Sequence, residues 1–385
     1  MKAIVYHGNK DIRYTESHPS PNITHETEVK IKVDFCGICG SDLHEYLDGP
    51  IFFQGEKSEI SNISKVQCMG HEISGEVVEI GSEVKGLEVG EKVVVEASGT
   101  CLDRYRFPDA PNAKKPNCCA CHDDHRNACD HIGFVGLGFM DGGFSDYCIV
   151  GQEHVVPYPE DLIPADVAAI TEPLSVAWHA VRTSNFQSGQ LALVLGSGPI
   201  GLAAIIALKG HKAGKIVVSE PASSRRLLAQ EFGAEVIDPK DYSYEECIKA
   251  LKSMTVDGFG FHHSYDCSGV AATFNASVHS LRTFGTATNI AIWPHKPIDF
   301  YPMDVTFKEK VITGSMCTTR LDFEQVIDAY KEGLIDPNEV KRFITSKIHL
   351  EDGIEKGFME LINNKDKHIK ILMTPNEQFK RTSLT

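Results

Sequence analysis

Five consecutive apolar residues, Leu191-Ala192-Leu193-Val194-Leu195, run into Gly196-Ser197-Gly198-Pro199-Ile200-Gly201 and then into an apolar stretch that reads as helix to about Gly210. A strand, a glycine-rich turn and a helix in immediate succession admit few folds. Residues 215–219 read as the next strand, which ends at Glu220. The spacing fits a βαβ unit that binds a dinucleotide. Gly196 permits the tight turn, Gly198 lets the backbone reach a pyrophosphate, and Gly201 packs helix against strand. The phosphates would sit at the helix N-terminus, at Pro199 and Ile200. A carboxylate at position 220 can accept hydrogen bonds from ribose hydroxyls and repels a 2'-phosphate, so the expected cofactor is NAD rather than NADP, with Arg225 close by to soften the preference.

The alternation continues with helix 223–232, strand 236–237, helix 242–253, strand 264–267, helix 271–281 and strands 285–291 and 311–314, which predicts a doubly wound parallel sheet in an α/β protein. Ser268, directly after one of these strands, and Ile290, within another, join the cofactor candidates. The uncharged run 191–208 is long enough to raise the question of a membrane span, but Gly196-Ser197-Gly198-Pro199 breaks its middle, and no membrane role is expected. A net charge of -15 over 385 residues, with no basic block, argues against nucleic acid and for a small or neutral ligand. Residues 1–7 read as a first strand rather than a leader, which places the chain in the cytoplasm. In that compartment its 12 cysteines point to metal rather than disulfides.

The chain ahead of this sheet has another character. Residues 28–33 alternate apolar and charged, and 73–80 and 93–95 repeat the style, so this part reads as a β-rich domain. On the turn after the first of these strands stands Cys36-Gly37-Ile38-Cys39-Gly40-Ser41-Asp42-Leu43-His44-Glu45. A thiolate is a zinc ligand, an imidazole can pass a proton to water, and a hydroxyl between them can relay it. Gly70-His71-Glu72 brings a second imidazole beside a second carboxylate, a pair that in isolation is common on surfaces. Further on, Cys118 and Cys121 have the two-residue spacing that lets both sulfurs face one ion, with Cys129 close behind. Cys101 could supply the fourth corner, although Cys119 competes for it and the loop 102–117 intervenes. In the helical segment opened by Pro164, Glu172 stands among apolar residues. A buried carboxylate is costly unless it is paired or bound to metal, so Glu172 is a candidate ligand.

In this order, Cys39-Gly40-Ser41-Asp42-Leu43-His44, Gly70-His71-Glu72, Glu172-Pro173 and the loop from Gly196 to Gly201 resemble the zinc-dependent medium-chain dehydrogenase/reductase family. The stretches beginning Ser41-Asp42-Leu43-His44-Glu45-Tyr46 and Thr286-Ala287-Thr288-Asn289 are similar to its 2,3-butanediol dehydrogenase branch. The resemblance implies a GroES-like catalytic domain (1–160) with an inserted Rossmann domain (161–316) and a C-terminal return (317–385). It implies catalytic zinc on Cys39, His71 and Glu172, the last standing where alcohol-specific relatives have cysteine. Glu72 would be an alternate ligand, Asp42 would orient His71, and Cys36 would be only structural. Ser41 and His44 would carry the proton out by way of a ribose hydroxyl. A second, structural zinc would be held by Cys101, Cys118, Cys121 and Cys129. The implied activity is interconversion of a vicinal diol and a hydroxyketone, (R,R)-2,3-butanediol and acetoin, with NAD. A sorbitol- or xylitol-type polyol dehydrogenase would use nearly the same residues. Relatives are homodimers or homotetramers. The long loop after Cys101 departs from the family, which spaces these cysteines closely.

Overall fold

Period-two alternation buries Val29, Ile31 and Val33 on one face of the strand Glu28–Gly37 and leaves Lys32 exposed. That strand is central to a seven-stranded sheet, which a computed structural model describes for residues 1–53, 55–64, 66–293, 296–364 and 366–379. Its neighbours are Glu72–Ile80, Tyr147–Gly151 and Lys370–Thr374. Lys92–Val95 and Val155–Pro157 extend the sheet on one side, and Ile344–His349 on the other. The sheet belongs to a compact unit made of Met1–Glu172, Cys317–Lys331 and Asp336–Thr385. Its core includes Ile4, Tyr6, Val33, Cys36, Phe139, Phe144 and Met373, all buried.

The second unit, Pro173–Met316 with Glu332–Ile335, carries the expected parallel sheet. Its six strands lie in the order Glu235–Ile237, Lys215–Ser219, Leu191–Leu195, Phe261–Asp266, Leu281–Asn289, Val311–Gly314. Numbered along the chain this is 3-2-1-4-5-6, the doubly wound order whose switch point lies beside the first strand. The strand Leu191–Leu195 is a continuous apolar run and Lys215–Ser219 is apolar in its middle, because helices such as Pro199–Gly210 and Ser223–Glu231 take the crossovers between parallel neighbours.

The strands expected at 264–267 and 285–291 begin earlier, as Phe261–Asp266 and Leu281–Asn289, the helix Pro337–Lys341 and the strand Ile344–His349 are additional, and two further elements differ in kind. Residues 40–48 form a helix, Gly40–Asp48, where a turn was expected, because the Asp42 carboxylate accepts from the Cys39 amide (2.9 Å) and starts the first turn. The expected helix 350–363 is wound wider, as a π-helix, over Gly353–Met359. There Gly353 and Gly357 admit the side chains of Ile4, Ile38 and Met373. Residues 380–385 of the expected return segment lie outside the described residues.

Candidate active site

Three elements of the first unit deliver the cluster. Cys39 lies two residues past the strand Glu28–Gly37 and caps the helix Gly40–Asp48, while His71 immediately precedes, and Glu72 opens, the neighbouring strand Glu72–Ile80. Ligand atoms of Cys39, His71 and Glu72 lie within 4.8 Å of one another. Ser41 Oγ is 3.2 Å from His71 Nε2, and the buried Asp42 carboxylate is 3.5 Å from His71 Nδ1. Burial by itself would lower the basicity of His71, but Asp42 and Cys39 more than reverse it and hold the imidazole well above its usual range. His44 lies one turn along the same helix, exposed, with Asp48 4.0 Å away.

Glu172, the last residue of the first stretch of this unit, belongs electrostatically with the cluster. Burial and the Glu72 carboxylate push its carboxyl up to about 7, against the pull of His71 and Lys370. Among the described residues the group with ligand atoms within 4.8 Å of one another is Cys39, His71 and Glu72, to which Glu172 is linked through its charge, and Glu72 Oε2 is buried with no hydrogen-bond partner. This is the environment a divalent cation relieves, and thiolate, imidazole and carboxylate are the donors zinc takes, so the residues fit the metal.

The sequence reading missed Lys370. Its ammonium, 2% exposed, donates to Glu72 Oε1 (2.5 Å) and to the Ile38 carbonyl (3.1 Å). Glu72, expected as a ligand, therefore gives one oxygen to a lysine. The approach also explains Gly37, since a Cβ there would lie 1.9 Å from Glu72 Oε2.

Cys101, Cys118, Cys121 and Cys129 gather their sulfurs within 4.8 Å, with Cys129 Sγ 3.6 Å from Cys101 and 3.8 Å from Cys118. Cys119 is exposed and turned to Asp123, so geometry selects Cys101 as the fourth thiol. Four thiolates close a tetrahedral ion and leave no position for chemistry. Cys36, fully buried in the β-core, takes no part in either cluster. Cys121→Ser should lower the zinc content from two ions per chain to one and lower the melting temperature. Elemental analysis beside thermal unfolding reads both, and an unchanged metal count would remove this site.

In the second unit, Gly196 has φ +90°, and a Cβ on it would meet Ser268 Oγ at 2.1 Å. Ser268 Oγ itself donates to the Leu195 carbonyl, which fixes the loop to the neighbouring strand's end. Gly201 lies so close to the Gly196 carbonyl that a Cβ would stand 1.9 Å away. Around Gly198 the space is open, with Arg225 4.0 Å from where a Cβ would be, and the helix Pro199–Gly210 begins there with proline first and Ile200 next. An open N-terminal turn over a helix fits a pyrophosphate. Ile290 donates its amide to the Asp266 carbonyl at the switch-point end of the sheet. Glu220, expected to face a ribose, is 3% exposed and turned onto its own loop: Oε2 accepts from the Ser197 amide (2.7 Å) and Oε1 from the Ala222 amide (2.8 Å).

The comparisons with known proteins place the chain in a family. Residues 25–160 match the model of the alcohol dehydrogenase GroES-like domain, and residues 199–332 that of the zinc-binding dehydrogenases. The (R,R)-butanediol dehydrogenase of Saccharomyces cerevisiae is 48% identical over 98% of both chains. A probable diacetyl reductase ((R)-acetoin forming) of the same yeast is 47% identical, covering 98% of this chain and 90% of its own. The crystal structure of 2R,3R-butanediol dehydrogenase from Bacillus subtilis has a TM-score of 0.84 at 35% identity, covering 97% of this chain and 99% of that one. A strand-and-thiol catalytic unit, a 3-2-1-4-5-6 sheet and these relatives lead to one conclusion: the chain belongs to the zinc-dependent medium-chain dehydrogenase/reductase family, in its butanediol dehydrogenase branch.

Proposed function

We propose that this enzyme interconverts (R,R)-2,3-butanediol and acetoin with NAD. The observation that carries the reading is the 48% identity to (R,R)-butanediol dehydrogenase over 98% of both chains, joined to a thiol, imidazole and carboxylate cluster that fits zinc. When bound, zinc supplies Lewis acidity toward a hydroxyl and the nicotinamide ring takes or gives the hydride. The chain's residues do the rest. Cys39, His71 and Glu172 would hold the ion, with Asp42 fixing the orientation of the His71 ring. Ser41, in contact with His71, stands where it can receive a substrate proton, and the exposed His44 can return it to water. Lys370 occupies one oxygen of Glu72, so that Glu172 rather than Glu72 is the constant carboxylate ligand. NADH formation with each butanediol stereoisomer and with sorbitol tests the reading. Turnover of sorbitol matching that of the R,R diol would move the chain to the polyol dehydrogenases.

The preference for NAD rests on Glu220. Its charge is held against Ser197 of the glycine loop, where a 2'-phosphate would meet a buried carboxylate. NAD should be favoured over NADP about ten- to a hundredfold, the equivalent of one charged hydrogen bond of roughly 1.5–3 kcal/mol. Glu220→Ala should erase that preference and also destabilise the unit, because the Ser197 and Ala222 amides lose their acceptor. Equal efficiency with both cofactors in the unmodified enzyme would refute the assignment.

We further infer a homodimer or homotetramer in the cytoplasm. The edge strand Val311–Gly314 leaves Val311 and Ile312 exposed, near the equally exposed Phe284 and Phe307, and a second copy paired along that edge would cover them. All 12 cysteines are free, in keeping with a reducing compartment, and among the described residues no helix is long and apolar enough to cross a membrane. Light scattering on the purified enzyme gives the oligomer directly.

A further inference from the structure

Apart from the two metal clusters, the first unit holds a buried assembly of charges around His154. This ring is 2% exposed, with Nε2 2.6 Å from Asp103 Oδ1 and Nδ1 2.8 Å from the Glu96 carbonyl oxygen. The Glu96 carboxylate is 3.5 Å from the same Nδ1. A carbonyl oxygen can only accept, so Nδ1 carries a proton. Asp103 also accepts from the Thr100 amide (2.7 Å) and from Arg106 (3.0 Å), which keeps it an anion that faces Nε2 as an acceptor. Both ring nitrogens therefore donate, and the ring is an imidazolium. Burial alone would disfavour that charge, but Asp103 and Glu96 outweigh it and push the ring up to about 10. Glu153 completes the surroundings, and Arg106 lies 3.9 Å from it and 3.6 Å from Glu28. Arg106 is thus shared among Asp103, Glu153 and Glu28, while among the described residues His154 is the cation placed against Glu96.

Glu96 matters because of where the sheet puts it. The strands Glu72–Ile80 and Lys92–Val95 pair antiparallel with Ser74 opposite Val94. Continued two residues further, this register sets Glu96 across from Glu72, and residues directly opposite share a face. Glu96 donates nothing to the cluster's ligand set, yet its carboxylate is buried beside it, 1% exposed, with one oxygen on the Ser98 amide.

We propose that His154 is a positioning residue: a buried imidazolium that holds Glu96 and offsets its charge, so that this further carboxylate does not add to the field at the candidate metal cluster. The inference rests on reading that cluster as the catalytic site, and two separate measurements keep the two ideas apart. The first uses the metal-free protein labelled with nitrogen-15 histidine, the His154 signals being identified by their loss in His154→Gln. Both ring nitrogens should be protonated at pH 8, whatever the enzyme oxidises, and a neutral tautomer there would overturn the proposal. The second is the pH profile of kcat/KM for diol oxidation by the zinc-loaded enzyme. In His154→Gln the uncancelled Glu96 should move the rising limb to higher pH by about one unit, since a neighbouring charge shifts an ionisation by that order. In Glu96→Gln the loss of that carboxylate, with the imidazolium retained, should move it to lower pH, and the double variant should return it toward the unmodified position. A merely structural His154 would lower the melting temperature and leave the limb in place in all three, which would equally overturn the proposal. Should His154→Gln fail to fold, the downward shift in Glu96→Gln decides the question alone.

Discussion

Glu172→Gln should lose at least about a hundredfold in kcat/KM for the diol while still binding NAD. Substitutions of residues that only support a metal ligand typically cost 10–100-fold, and a ligand itself should exceed that range. The reason is charge. One thiolate, one neutral imidazole and one carboxylate leave a zinc site formally neutral, the same sum that two thiolates and an imidazole give. An amide at 172 removes the negative charge and offers a weaker donor. Glu172→Cys keeps the charge, and should therefore keep the metal and recover part of the turnover that Glu172→Gln loses. The position of this carboxyl in pH gives a second readout. Without metal it is pushed up to about 7 by burial and by Glu72, so zinc must displace its proton below that pH. Zinc uptake by equilibrium dialysis should therefore weaken as pH falls through 7, and Glu172→Gln should remove that part of the slope while the part due to His71 remains. An amide variant that oxidises the diol at the unmodified rate with zinc bound would exclude Glu172 as a functional ligand.

Lys370→Met should cost about 3–5 kcal/mol of stability, the usual penalty for removing one partner of a buried ion pair. Glu72 is fully buried, and Lys370 is the cation bonded to it. Methionine keeps most of the side-chain length and apolar contact, so the loss reports the stranded charge rather than a cavity. Bound zinc adds positive charge beside Glu72, and the penalty should consequently be smaller in the zinc-loaded than in the stripped enzyme. Urea unfolding of both forms measures the difference. Adding Glu72→Gln to Lys370→Met should restore much of the stability by removing the stranded charge. A double variant as unstable as Lys370→Met would mean that the lysine acts through packing and its bond to the Ile38 carbonyl.

Local sequence determined the parts of this protein whose signals are local. The apolar run and the glycines gave the strand Leu191–Leu195 and the helix Pro199–Gly210 at their observed bounds, because β-period, turn and helix all lie within a few neighbouring residues. The two-residue spacing of Cys118 and Cys121 likewise belongs to one short turn and was legible as a metal motif. Even the unexpected helix Gly40–Asp48 left a trace, the aspartate three residues after Cys39, but the polar cluster around it reads equally as a turn. The partners of the buried charges were not legible. Lys370 lies 298 residues from Glu72 along the chain and reaches it only because Leu372 and Met373 pair with Gly37 and Cys36. Glu220 keeps the type and position its motif requires, yet whether its oxygens face outward or onto the loop depends on the close approach of Ser197 across the strand ends. Sequence periodicity fixes which face a side chain takes, whereas its electrostatic partner is set by strand order and register, which bring distant residues within hydrogen-bond reach only when the whole sheet has closed.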